Sequence, residues 1–330
     1  MLLAGKLVDG RYQLGPTMGW GGFSDVYYAR DRVTGDPVAV KVLPGIDPTD
    51  ISEAVGDAEA LAMLHDPGIV RLRARGVRDG TPYLVVDLVE GPSLTELLQR
   101  GPLFEDGVVT MGASLARTLS HAHAIGVIHR AVHPGNIVFT PVGEPKLTDF
   151  GLVLTADPTA VIGGHSLAGL QTYLAPEQVQ GEPAGAPADI YSLGLVLIEA
   201  ISGDRAFIGS PAEAATARLV ESPSLPPSIS PWLADVLSAM TAIDPASRPN
   251  ASTVAAALAE RSADVLAAPL DEPEIAAIDL RDQVEPAIAL APPAVAISPP
   301  SPAEGRAAAA DAFVAIVAIA VLVIFLLVVF

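Results

Sequence analysis

His129-Arg130-Ala131-Val132-His133-Pro134-Gly135-Asn136, followed by Leu147-Thr148-Asp149-Phe150-Gly151 and then by Ala175-Pro176-Glu177, is the series that decides the fold of this chain. Upstream of it stand Gly19-Trp20-Gly21-Gly22-Phe23-Ser24-Asp25-Val26 and Val38-Ala39-Val40-Lys41. A glycine-rich hairpin lets backbone N–H groups approach phosphate oxygens with no Cβ in the way, and a lysine on the next strand reaches the same phosphates. Alone, those glycines read equally well as an ordinary β-turn; the ordered motifs downstream give them weight. From 10 to 261 the sequence alternates strand-like stretches such as Tyr83-Leu84-Val85-Val86 with helix-like stretches such as 188–201, punctuated by Gly and Pro, so this region reads as globular.

In order and spacing the motifs resemble the protein-kinase signature set. Over about 10–261 the chain looks like a bacterial serine/threonine protein kinase of the eukaryotic-like type. Leu64-His65-Asp66-Pro67-Gly68-Ile69-Val70, Asp189-Ile190-Tyr191-Ser192-Leu193-Gly194 and Asp244-Pro245-Ala246-Ser247-Arg248-Pro249 extend the likeness. The resemblance implies an α+β, two-lobed protein-kinase-like fold. Its N-lobe, about 10–88, is mainly antiparallel sheet with one helix and ends at a hinge near Asp87-Leu88-Val89; its helical C-lobe runs over about 89–261, with ATP between the lobes. Gly19, Gly21, Gly22 and Lys41 would hold the phosphates, Val26 and Ala39 would roof the adenine, and Val138 would floor it. Asp149 would chelate Mg²⁺ that bridges the phosphates, and Asn136 would hold a second metal through its side-chain oxygen. Asp189 and a Glu177–Arg248 ion pair would brace the C-lobe.

Four departures from the family pattern stand out, and the first two fall on the same chemical step. Where the family has the aspartate that accepts the substrate proton, this chain has Ala131, and a methyl group accepts no proton. Where the family has a lysine facing the transferred phosphate, it has His133, neutral at pH 7 at its ordinary pKa. The helix glutamate that would seat Lys41 aligns with Asp57, one methylene shorter, with Glu53 and Glu59 nearby, so Lys41 is expected to be loosely held. The substrate-loop threonine is also replaced, in Gly169-Leu170-Gln171, and Thr155, Thr159, Ser166 and Thr172 read as solvated loop hydroxyls. The nucleotide-holding parts survive while the proton-accepting parts do not, which is the pattern of a pseudokinase. Two functions are therefore expected in competition: an ATP- and Mg²⁺-binding scaffold or regulator that pairs with an active kinase or signalling complex, and a serine/threonine kinase with an atypical catalytic loop that uses His133 or positioning alone.

The remaining sequence sets the context. A formal charge of -19 over 330 residues argues against a nucleic-acid surface, which needs clustered Lys and Arg. There are no cysteines, which removes thiolate and disulfide chemistry. Residues 1–9 read as a short leader without the apolar stretch of a secretory signal. Prolines scattered among Ala and acidic residues make 262–311 a disordered tether. Mean hydropathy is +0.44, and part of the excess lies in 312–330, which carries no charged or polar side chain. As a helix that segment would be roughly 29 Å long, matched to a bilayer core, and is expected to be a single transmembrane helix. Arg306 on its linker side favours a cytoplasmic kinase-like domain by the positive-inside rule.

Overall fold

The computed structural model describes residues 5–21, 24–44, 65–150, 161–162, 165–166 and 171–267. Gly22, the segment holding Glu53, Asp57 and Glu59, Leu170, and everything after Ala267 lie outside them. Contacts divide the chain into Met1–Ala287 and Ile288–Phe330, and the described residues all belong to the first of these. The second, with the expected membrane helix, is wholly outside the described residues. Among the described residues no helix is long and apolar enough to cross a membrane.

The N-terminal half is one antiparallel sheet. Its strands are β1 Leu7–Val8, β2 Tyr12–Gly21, β3 Ser24–Asp31, β4 Pro37–Val42, β5 Leu72–Arg78 and β6 Thr81–Asp87, in the order β1-β2-β3-β4-β6-β5. Alternation sorts the faces of β4. Val38, Val40 and Val42 join Tyr27, Ala29 and Val85 in the core, and Ala39 and Lys41 point the other way. The β5–β6 hairpin turns on Asp79-Gly80, both left-handed at φ 51° and 77°, the backbone a two-residue hairpin of right-handed twist requires. One expectation is corrected here. Leu7–Val8 does not belong to a leader but pairs with Tyr12 and Gln13, and Val8 is buried in the sheet's core.

The C-terminal half is mostly helical. α1 Leu94–Leu98 is capped reciprocally by Ser93 and Glu96. α2 Glu105–Ala124 leads into the loop of Ala131, a 3-10 turn at Pro134–Asn136, and a small ribbon of β7 Ile137–Phe139 and β8 Pro145–Leu147. A second ribbon pairs β9 Val161–Ile162 with β10 His165–Ser166. There follow α3 Pro176–Val179, α4 Ala186–Ser202, α5 Pro211–Arg218, α6 Pro231–Met240, a 3-10 turn at Pro245–Ser247 and α7 Ala251–Ala267.

Every residue of α4 from Ala188 through Ile198 is buried, so this helix is the axis of the lobe rather than an amphipathic cover. α2 packs beside it at Gly112, where a Cβ would stand 3.0 Å from both Leu197 and Leu258. α7 runs six residues past Arg261, where the sequence set the end of the domain. Three of the six added residues, Ala263, Leu266 and Ala267, are strong helix formers, and the first proline comes only at Pro269.

Candidate functional site

Lys41, 8% exposed, leaves β4 on the face opposite the sheet core. Val26 is its cross-strand partner, Ala39 lies two residues before it, and Leu84 and Val86 back them on β6. The expected adenine-roof residues and the phosphate lysine therefore share one face. The expected floor residue, Val138, sits half-buried on β7 on the face opposite Ile137 and Phe139, which enter the C-lobe core. Gly19 and Gly21 lie in β2 opposite Val26 and Ser24.

The Lys41 ammonium donates to both Asp149 oxygens, at 2.5 and 2.6 Å, and to the Thr148 hydroxyl at 3.2 Å. The lysine is thus held by the Asp149 turn, while Asp57, on which its looser seating was expected, lies outside the described residues. Asp149 itself is left-handed at φ 66°, a conformation a non-glycine residue keeps only when its surroundings dictate it. Here the ion pair on one side and the buried Phe150 on the other dictate it.

The loop that carries Ala131 hangs from α4. Asp189, 1% exposed in the first turn of that helix, accepts the backbone N–H of His129 at 2.8 Å and of Arg130 at 2.7 Å, while His123 Nε2–H donates to it at 2.8 Å. Arg130 is also left-handed, at φ 66°, and its carbonyl accepts from the Gln178 amide at 3.1 Å. His129 donates from Nε2 to the Thr148 carbonyl at 3.0 Å and accepts the Ala131 N–H at Nδ1, 3.3 Å away. Its ring lies 4.3 Å from Phe150, and burial pushes its pKa down, so it is a neutral structural strut between the two motifs. Asn136 Nδ2 donates to the Ala131 carbonyl at 3.0 Å.

Ala131 is therefore fixed at both its N–H and its C=O, buried, and without any group to receive a proton. His133 does not replace it. The imidazole accepts the Gly135 N–H at Nδ1, 3.1 Å away, so the proton of its neutral form is on Nε2. It stacks against Tyr173 with ring centroids 6.2 Å apart. Desolvation, aided by His129 and Lys41 and opposed by Asp149, pushes the His133 pKa down to about 4. A neutral ring with a hydrogen on Nε2 neither supplies the lysine's fixed charge nor accepts a hydroxyl proton at that nitrogen.

Asn136 and Asp149 offer hard oxygen ligands of the kind Mg²⁺ selects. The Asn136 amide spends its N–H₂ on the loop, and its oxygen accepts no hydrogen bond among the described residues, which suits a cation. The Asp149 carboxylate is shared with Lys41. Among the described residues no group of three or more His, Asp or Glu side chains forms a closed metal cage. Two oxygens describe the open kind of site that phosphates and water complete.

The expected brace is present. Arg248 donates to both Glu177 oxygens, at 2.7 and 2.8 Å, and to the carbonyls of Ala242, Pro187 and Ile243, with its guanidinium 4.8 Å from the Tyr191 ring. Sequence reasoning passed over Thr148, Gln178 and Tyr173. Gln178 directly follows the Ala-Pro-Glu motif and was the most legible of the three. Thr172, read as solvated, is buried beside Tyr173, whose carbonyl accepts the Ser192 hydroxyl at 2.7 Å.

A sheet lobe, a helical lobe and a lysine–aspartate pair beside a braced loop define the protein-kinase architecture. Residues 12–258 match the protein kinase domain family, and the chain belongs to it, within the bacterial eukaryotic-like serine/threonine kinases. It is 37% identical over 273 residues to serine/threonine-protein kinase PknA of Mycobacterium tuberculosis, covering 78% of this chain and 63% of that protein. It is 32% identical over 254 residues to PrkC of Bacillus subtilis, covering 74% and 39%. It is 36% identical over 228 residues to PknB of Mycobacterium leprae, covering 66% and 36%. The chain thus spans less than two thirds of the length of these relatives.

Proposed function

We propose that this chain is a pseudokinase that binds ATP with Mg²⁺ and acts as a scaffold or regulator in serine/threonine kinase signalling, pairing with an active kinase or signalling complex. The observation that carries this reading is Ala131, a methyl group at the base position of a loop otherwise fully braced. General-base assistance contributes about 10²–10⁴-fold, roughly 3–5 kcal/mol of barrier, so its loss leaves transfer slow. Nucleotide binding is supported by Lys41, Asp149 and Asn136, and by Val26 and Ala39 on the lysine's face. Gly22 and Asp57 belong to the same reading but lie outside the described residues. We place the kinase-like domain in the cytoplasm, tethered by the linker that ends at 311 to a membrane helix at 312–330, on the strength of composition alone. The charge of -19 speaks against nucleic acid as a partner.

The second reading is a working serine/threonine kinase that transfers the ATP γ-phosphate with positioning and metal electrostatics alone, which supply most of the catalysis in phosphoryl transfer. It is favoured by the intact Lys41–Asp149 pair and by the names of the relatives. Melting curves of the full chain test the shared part. Millimolar Mg·ATP should raise the melting temperature by mass action, and Asp149→Ala should abolish the rise. An unchanged curve for the unmodified chain removes nucleotide from both readings.

A further inference from the structure

The β5–β6 ladder slips by one residue. Leu72 pairs with Val86 and Ala74 with Val85, so Arg73 is an extra residue with no partner of its own in the ladder. A β-bulge of this kind re-aims the side chain it carries. Here that side chain is a guanidinium, and it reaches two acids on two other elements. Its Nη1 donates at 2.7 Å to Asp36, in the turn that leads into β4, and its Nε donates to Asp87, the last residue of β6. Asp87 is held at two further points: its N–H donates to the Arg71 carbonyl at 3.0 Å, and Arg71 Nε lies 3.6 Å from its other carboxylate oxygen.

Exposed ion pairs contribute little to stability, but this one stands at a particular place. Val38–Asp87 is the last pair of the β4–β6 ladder, and beyond it the chain leaves the sheet as the hinge Leu88-Val89. The end of a ladder frays unless something ties it. Arg73 ties this end from both strands, through Asp36 two residues before Val38 and through Asp87 itself. Asp87 shares the face of Val38, opposite to the face of Ala39 and Lys41, so the network lies away from the nucleotide side of the sheet. Arg73 therefore acts on a nucleotide only through the backbone it holds.

We propose that Arg73 is a positioning residue for the nucleotide base: its fork fixes the hinge against the start of β4 and so sets the slot between Ala39 and the hinge backbone. The inference rests on the nucleotide-binding reading above and adds the device that shapes the base-holding half of that site. The fork is what matters. Its Nε and Nη1 donate in two fixed directions to two carboxylates, whereas a lysine ammonium is a single point charge and cannot hold both acids in the same geometry.

The test titrates the full chain with Mg·ATP, with adenosine, and with Mg·tripolyphosphate, which carries the phosphates without the base. Arg73→Lys keeps the charge and loses the fork. It should weaken Mg·ATP and adenosine by about threefold each, a size in keeping with an exposed ion-pair network. It should leave Mg·tripolyphosphate binding unchanged, and without ligand it should melt with the unmodified chain. Arg73→Met should show the same loss for adenosine, which carries no charge to sense the missing cation. Unchanged adenosine affinity in both variants, or an equal loss for adenosine and tripolyphosphate, would overturn the proposal. A lower melting temperature with unaltered affinities would make Arg73 a structural ion pair only and overturn it as well. If the unmodified chain takes neither Mg·ATP nor adenosine, the nucleotide reading itself falls, and this proposal falls with it.

Discussion

Ala131 keeps the backbone contacts of a reacting loop residue, its N–H to His129 and its C=O to Asn136, and lacks only a carboxylate. His133, two residues on, is a neutral donor rather than a cation. Its pKa gives a pH signature whose sign is fixed. The folded-state value of about 4 lies below the ordinary 6.5, so between those values the unfolded chain binds the proton first. Stability is therefore undiminished by this group above pH 6.5 and falls as pH drops from 6.5 toward 4. His133→Gln should flatten that part of the profile in denaturant titrations at stepped pH, and an identical slope in the variant would show His133 to be solvated in the folded protein. The identities of Ala131 and His133 and their misfit to the family pattern were legible in the sequence. The state of His133 was not, because it depends on desolvation and on the Gly135 N–H, which only the folded loop supplies. The contact of Lys41 with Asp149 was not legible either, because it spans 108 residues of sequence.

Among the elements, α4 does most to hold the site, because its apolar body is the lobe's core and its first turn presents Asp189 to the loop. Its helical character was legible over 188–201, but its all-round burial was not, because Asp189 and Ser192 interrupt the apolar residues, and nor were the left-handed backbones of Arg130 and Asp149, since neither residue type demands φ of 66°. α3 is fixed to the lobe through Glu177 and Arg248, both buried. Glu177→Ala leaves that guanidinium without its carboxylate, and the loss should be about 3–5 kcal/mol in chemical denaturation. A loss below about 1 kcal/mol would mean the three backbone carbonyls suffice. Gly91, just past the hinge, is held to its identity by contact: a Cβ there would lie 2.0 Å from the Phe139 carbonyl oxygen. Gly91→Ala should therefore lower the melting temperature measurably, and a tolerated alanine would mean that the β7 approach is looser than described.

For the molecule as a whole, the two-lobed plan was legible from motif order, and the ends of the domain were read less well. Val8 enters the sheet because a two-residue strand needs only one apolar position, too short a pattern to read as periodicity. The membrane helix rests on sequence, and fractionation tests it. Deleting 312–330 should move the protein from the membrane pellet to the soluble fraction, and persistence of the shortened chain in carbonate-washed membranes would contradict the anchor. The central claim is that phosphate holding and proton transfer have been separated in this chain. It is tested most directly by incorporation of labelled γ-phosphate from Mg·ATP into a generic protein acceptor. The full chain is assayed beside a variant that combines Ala131→Asp, His133→Lys and Leu170→Thr, because groups that act as a unit are strongly non-additive. The account predicts background transfer by the unmodified chain and transfer above background by the combined variant; unmodified turnover in the ordinary kinase range of about 1–100 s⁻¹ would contradict it.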